Sequence, residues 1–83
     1  DLADVGIGIL PRLQAGDDSA VADLAVLYGA RMFQLALRYT RNREDAEEVV
    51  QDVLMKVRDK IAAFRGDAAL SSWIYRITFN TAM

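Results

Sequence analysis

Tyr75, Arg76, Phe79 and Asn80 are the residues best suited to chemistry with something outside the chain. Two rings that can stack, a guanidinium and a side-chain amide follow closely on a glycine-bearing loop, "FRGDAAL", whose backbone donors no helix uses. Stacking faces, a phosphate contact and edge hydrogen bonds are what an unpaired nucleic-acid base requires. The same spacing also fits an ordinary amphipathic helix with two outward rings, and spacing alone leaves both readings open. Trp73, the only tryptophan, reads first as core, because its bulk is most stable when its helix buries it.

A second constellation is acidic. Glu44 to Asp52, "EDAEEVVQD", could hold a metal through carboxylates. The chain has no histidine to join them, however, and acids crowded into the first turns of a helix are accounted for by its positive end. No metal and no cofactor are expected. Asp45, Glu48, Gln51, Asp52 and Met55 recur at three- and four-residue steps and so share one outward face. That face ends on a flexible thioether, which suits docking against a basic, partly apolar helix. It also fits a plain solvated face, and spacing does not choose between them. With neither histidine nor cysteine, a Ser-His-Asp triad, a Cys-His pair and a thiolate zinc site are excluded, so an enzyme is not expected.

The elements that must position these residues are helical. Val21, Leu24, Ala25, Tyr28, Met32, Leu35, Ala36 and Tyr39 repeat with the helical period, predicting a helix between Ser19 and Tyr39 behind capping oxygens at Asp17, Asp18 and Ser19. Ala46, Val49, Val50, Val53, Leu54, Val57, Ile61 and Phe64 form one stripe of a second helix, from about Glu44 to Ala63, with Asn42 as its cap. Gly66 breaks that pattern, and a further helix starts near Leu70 with Leu70, Trp73, Ile74, Ile77 and Thr81 inward. Ile7 to Leu13 predicts a short first helix, with Pro11 early in it and Gly16 beyond its end. The result is an all-α bundle of one short and three longer helices, residues 1–83 forming a single domain.

Bulk composition sets limits on the partner. The net charge of −2 excludes a polycation that coats nucleic acid without selectivity, so any such contact is local. Charge falls in blocks: residues 1–24 carry −4, 25–43 carry +4, 44–55 carry −5 and 56–83 carry +3, summing to −2. No uninterrupted apolar run reaches the roughly 20 residues of a membrane span, and the N-terminus lacks the order of a signal peptide. The expectation is a soluble, cytoplasmic domain without a membrane partner, cut from a longer chain.

Three stretches in order carry a family resemblance: Asp45-Ala46-Glu47-Glu48-Val49-Val50-Gln51-Asp52, then Phe64-Arg65-Gly66-Asp67, then Trp73-Ile74-Tyr75-Arg76-Ile77-Thr78-Phe79-Asn80. Residues 45–82 resemble the second conserved region of bacterial RNA polymerase sigma factors of the extracytoplasmic-function (ECF) group, and the upstream helices resemble the rest of that region. The resemblance implies that Asp45, Glu48, Gln51, Asp52 and Met55 face the coiled-coil of the largest subunit of core RNA polymerase. It implies that the loop Phe64, Arg65, Gly66, Asp67, Ala68, Ala69 and Leu70, with Ser72, Trp73, Tyr75, Arg76, Phe79, Asn80 and Lys56, captures the non-template strand of the minus-ten promoter element. Within that set Asn80 contacts the captured base or its pocket, Arg76 and Lys56 serve phosphates or base edges, Tyr75 stacks, and Trp73 is shared with the core. An inhibitory anti-sigma protein is an implied partner, and the family's region that reads the minus-thirty-five element is not among these residues. The chain departs from the family in having Val53 and Leu54 where an aromatic is frequent, Leu70 at the loop's end, and Met83 where a basic residue is common. The competing reading is a helical protein-interaction domain that uses the acid ridge without touching nucleic acid.

Overall fold

A computed structural model describes the backbone of residues 2–66 and 69–83, and the side chains of 8–66 and 69–83. Four α-helices succeed one another: α1 Leu2–Gln14, α2 Asp18–Thr40, α3 Arg43–Lys60 and α4 Leu70–Ala82, with a single 3-10 turn at Ile61–Ala63 continuing α3. Among the described residues there is no strand, so the all-α expectation holds.

α2 is the central element and packs on α1, α3 and α4. Its buried residues Ala20, Leu24, Tyr28, Met32 and Ala36 recur every four positions, which turns one continuous face toward the other three helices. By length and composition α2 could cross a bilayer. Here only one face of it, Ala20, Leu24, Tyr28, Met32 and Ala36, is buried in the bundle. Tyr39, assigned to the inner stripe by periodicity, is instead 44% exposed, because the buried stripe runs in four-residue steps through Met32 and Ala36 and leaves Tyr39 to one side.

Side-chain oxygens start α2 and α3. Asp17 caps α2, its carboxylate accepting from the Ser19 backbone N–H at 2.9 Å and the Ser19 hydroxyl at 2.6 Å. Arg12, at the end of α1, donates to Asp17 at 3.2 Å, to Asp23 at 2.8 Å and to the Ser19 hydroxyl at 2.7 Å, pinning α1 to the first turns of α2. The Ser19 hydroxyl, Arg12 and the Ser19 N–H hold the Asp17 carboxyl below its ordinary range. A carboxyl lowered in the folded state stabilises the fold above the unfolded value, and that contribution disappears as pH falls through the folded one. The thermal midpoint should therefore drop as pH falls below the ordinary carboxyl range, and Asp17→Asn should flatten that drop.

Between α2 and α3 the turn is only Arg41 and Asn42. Arg41 takes the left-handed conformation, φ 55°, and its N–H closes on the Leu37 carbonyl at 2.8 Å. Asn42 then caps α3 by accepting from the Asp45 N–H at 3.0 Å, as its position predicts. So short a link makes the two helices antiparallel neighbours. Asn42→Ala leaves that N–H without its side-chain acceptor and should cost about 1 kcal/mol, a drop of roughly 4–8 °C in thermal midpoint by circular dichroism.

α1 departs from the sequence expectation. It begins at Leu2 and not at Ile7, so Pro11 lies well inside the helix and not in its first turns. Gly6 and Gly8 weaken a helix by about 1 kcal/mol each relative to alanine without forbidding it. Pro11 removes one donor, and the helix continues through it to Gln14. Gly16 follows with φ +80°, where a side chain would be strained.

In α4 the buried positions are Leu70, Ile74 and Thr78. Trp73 and Ile77 flank them half-buried against the core, and Thr81, expected inward, is only half-buried. The Thr78 hydroxyl is satisfied by donating to the Ile74 carbonyl at 2.9 Å, which lets a polar side chain occupy the seam.

Candidate functional site

Two surfaces emerge, each on the outer side of a helix whose inner side is fixed by the core. On α3, the buried residues Ala46, Val53 and Val57 face α2 and α4. Asp45, Glu48, Gln51, Asp52 and Met55 are all exposed, as their spacing predicts, with Met55 at 66%. Among the described residues none of the four polar side chains on this ridge forms an ion pair or a side-chain hydrogen bond. Lys56, one turn after Asp52, does not neutralise it: the ammonium donates instead to the Thr81 hydroxyl of α4 at 3.0 Å. Beside the ridge, Gly29 and Phe33 of α2 with Glu47, Val50 and Gln51 of α3 line a cleft of about 240 Å³. Arg43 lies over the Phe33 ring, 5.9 Å from its centroid. Phe33 escaped the sequence reading because it belongs to another helix; the signal available was its offset from the buried stripe of α2.

On α4, Ser72, Arg76, Phe79 and Asn80 are exposed and fall on one side of the helix. Arg65, Gly66 and Ala69 of the preceding loop are exposed as well, and Gly66 sits at φ +79°. Asp67 and Ala68 lie outside the described residues. Phe64 and Trp73 meet with ring centroids 5.2 Å apart and rest half-buried against the core, so they pin the two ends of the loop together. Leu70 is 6% exposed and belongs to the core; its side chain offers no surface to a ligand.

Tyr75 is half-buried and meets Tyr28 edge-on at 6.1 Å, leaving less of its ring open than an outward position implies. Burial, with Tyr75 adding to it, pushes the Tyr28 phenol above its ordinary value, so that ring stays neutral. Lys56 ties α3 to α4, its head on Thr81, which follows Asn80. Tyr39 of α2 packs against Phe79 at 5.1 Å, edge to face, which the sequence reading did not foresee.

Among the described residues no cluster of acids is arranged to hold a metal. The surfaces offer recognition groups: a negative ridge ending on a thioether, and a ring, guanidinium and amide stripe beside a left-handed glycine turn.

Residues 24–83 match the Sigma-70 region 2 family. The chain belongs to that family. It is 38% identical over 74 residues to the ECF RNA polymerase sigma-E factor of Escherichia coli and, equally, to that of Salmonella typhimurium, and 34% identical over 74 residues to the RNA polymerase sigma-H factor of Pseudomonas aeruginosa. Each alignment covers 89% of this chain and 38% of the relative, so the chain spans well under half the length of these proteins. The ECF resemblance of residues 45–82 agrees with these matches. In this region 2 chain the matched span takes in most of α2 and all of α3 and α4, so both exposed surfaces lie within it.

Proposed function

We propose that this chain is a module of a transcription initiation factor that binds core RNA polymerase and recognises and melts the minus-ten promoter element. The α3 ridge of Asp45, Glu48, Gln51, Asp52 and Met55 docks on the coiled-coil of the largest polymerase subunit. The loop from Phe64 to Ala69 and the α4 stripe of Ser72, Arg76, Phe79 and Asn80 hold the non-template strand, with an unpaired base drawn from the stack. Extruding that base costs a few kcal/mol, which ring stacking and edge hydrogen bonds must recover. Lys56 and Tyr75 serve this face from its margin, Lys56 by fixing Thr81 beside Asn80. The module acts without catalysis, in the cytoplasm where polymerase and promoter meet, and an anti-sigma protein that covers either surface would silence it.

One observation supports the reading above the others. The Arg76 and Asn80 side chains are exposed and, among the described residues, form no side-chain hydrogen bond or ion pair, on a helix whose other side buries Leu70, Ile74 and Thr78.

The test is fluorescence anisotropy with single-stranded minus-ten oligonucleotides varied one base at a time. Asn80→Ala should flatten the preference at one position, removing about 1–3 kcal/mol of discrimination, while binding of the polymerase coiled-coil stays unchanged. Unaltered preference across all variants would defeat the assignment of Asn80. Absence of any single-strand binding, with coiled-coil binding intact, would favour a domain that only docks protein.

A further inference from the structure

α2 carries a second apolar stripe, on the side away from the core. Val26, Ala30, Phe33 and Leu37 follow one another at steps of four, three and four, the a and d spacing of a coiled-coil seam. Val26 is 83% exposed, the most open large apolar side chain among the described residues. Ala30 is exposed too, and Phe33 and Leu37 are half-buried. Recesses lie on both flanks: Ile9, Arg12, Asp23, Val26 and Leu27 line one of about 330 Å³ toward α1, and the cleft at Gly29 and Phe33 lies toward α3. Arg31 and Arg38 belong to a different side of α2, where with Tyr75 of α4 they line an open groove of about 360 Å³. The seam itself is therefore uncharged between Asp23 and Arg41.

This stripe is complementary to its own reverse. Paired antiparallel, a positions of one helix meet d positions of the other, and a register that sets Val26 opposite Leu37 of a second copy also sets Ala30 opposite Phe33. Each layer then joins a smaller side chain to a larger one, as close packing requires. Leu37 of the second copy arrives beside Val26, at the mouth of the recess toward α1. Asp23 and Arg41 are about five helical turns apart and so share one side of α2, which brings Asp23 of one copy beside Arg41 of the other at both ends of the seam. One Asp23 oxygen, Oδ2, accepts from Arg12 at 2.8 Å, while Oδ1 and the exposed Arg41 guanidinium have no partner among the described residues. Parallel pairing would set acid against acid and arginine against arginine.

We infer that the outer stripe of α2 is a self-association surface, on which a second copy of this chain docks antiparallel through Val26, Ala30, Phe33 and Leu37 and is held at each end by an Asp23–Arg41 pair. The inference stands apart from the polymerase and promoter reading and uses residues that neither of those surfaces claims. One helix face makes a small interface, below the roughly 1,200 Å² of stable complexes, so the association depends on concentration.

The experiment is sedimentation equilibrium of the 83-residue chain from about 10 μM to about 1 mM, the range of a weak interface. The mean mass should rise from 9.2 kDa toward twice that value. Val26→Glu should weaken association at least about tenfold, since it places two carboxylates in the seam, and its thermal melt should coincide with that of the wild type because the side chain is exposed. Arg41→Asp should weaken association as well, and equimolar mixing with Asp23→Arg should restore it.

Register is read by cross-linking, which the absence of native cysteine makes clean. Val26→Cys mixed with Leu37→Cys under mild oxidation should form the mixed disulfide faster than either variant forms its own. Faster coupling of Val26→Cys to itself would overturn the antiparallel seam. Association of Val26→Glu at wild-type strength would place the contact elsewhere and overturn the inference. A chain that stays at 9.2 kDa throughout would overturn it too, and would leave the stripe to a different protein.

Discussion

Val53→Asp should abolish folding, leaving a chain without a cooperative thermal transition. Val53 is fully buried on α3 in the cluster that includes Leu24, Tyr28, Met32, Val57 and Ile74, drawn from three helices. Burying a valine contributes about 1.5–3 kcal/mol, and the substitution loses all of it. A carboxylate with no cation in that seam must either remain charged at a cost of several kcal/mol or take up a proton. A domain of this size has about 5–15 kcal/mol to lose, and both effects draw on it together. Val53→Ala is the informative partner: it should lower stability by only about 1–3 kcal/mol and keep the transition cooperative. A folded Val53→Asp chain with a midpoint within a few degrees of wild type would mean that this face of α3 is not the inner one.

Gln51→Ala/Asp52→Ala should remove binding to the polymerase coiled-coil and leave the fold untouched. Both side chains are exposed and neither bonds to another described side chain. They sit in the middle of α3, beyond the reach of the terminal dipole, and alanine has the higher helix propensity. The thermal midpoint should therefore stay level or rise slightly. At an interface, truncating a central charged and amide pair costs at least about 2 kcal/mol, or roughly thirtyfold in affinity, because the basic partner groups lose their counterparts. Isothermal titration of the variant against the isolated coiled-coil would read it directly. Loss of the thermal transition would show that the ridge supports the fold and not a partner.

How much of this was legible depended on whether several signals coincided at one place. For α3 they did: an asparagine cap, acids in the first turn and bases in the last describe one helix that the structure matches, although the α-helix ends at Lys60 and the stripe's last members, Ile61 and Phe64, lie in and after a 3-10 turn. In α4 the inner register was partly misjudged, because the apolar Ile77 drew the stripe on to Thr81 and away from Thr78. Leu70 and Ile74 set a four-residue step that brings Thr78 to the seam, and the Ile74 carbonyl makes its burial tolerable. Periodicity put Leu70 on the inner face at the start of the helix, where it lies, and only the resemblance put it in the strand-binding loop. For α1, two glycines masked a start that lies at Leu2.

The sites divided in the same way. Which face of α3 is outward follows from periodicity, so the acid ridge could be placed residue by residue. Surfaces built across helices could not. Phe33 beside Gln51, Tyr39 against Phe79 and Tyr75 opposite Arg31 all depend on how α2 lies on its neighbours, which no spacing along the chain contains. The +4 block of residues 25–43 was plain in the sequence, but it became a groove only when α4 supplied its other wall.

The account's central claim is that one small core holds two separate recognition faces. Amide chemical shifts of the isotope-labelled chain, titrated first with the polymerase coiled-coil and then with single-stranded minus-ten DNA, test it most directly. The account predicts two disjoint sets of perturbed residues: 45–55 for the coiled-coil, and 64–80 for the DNA. A single shared set, or DNA perturbations confined to α3, would contradict it.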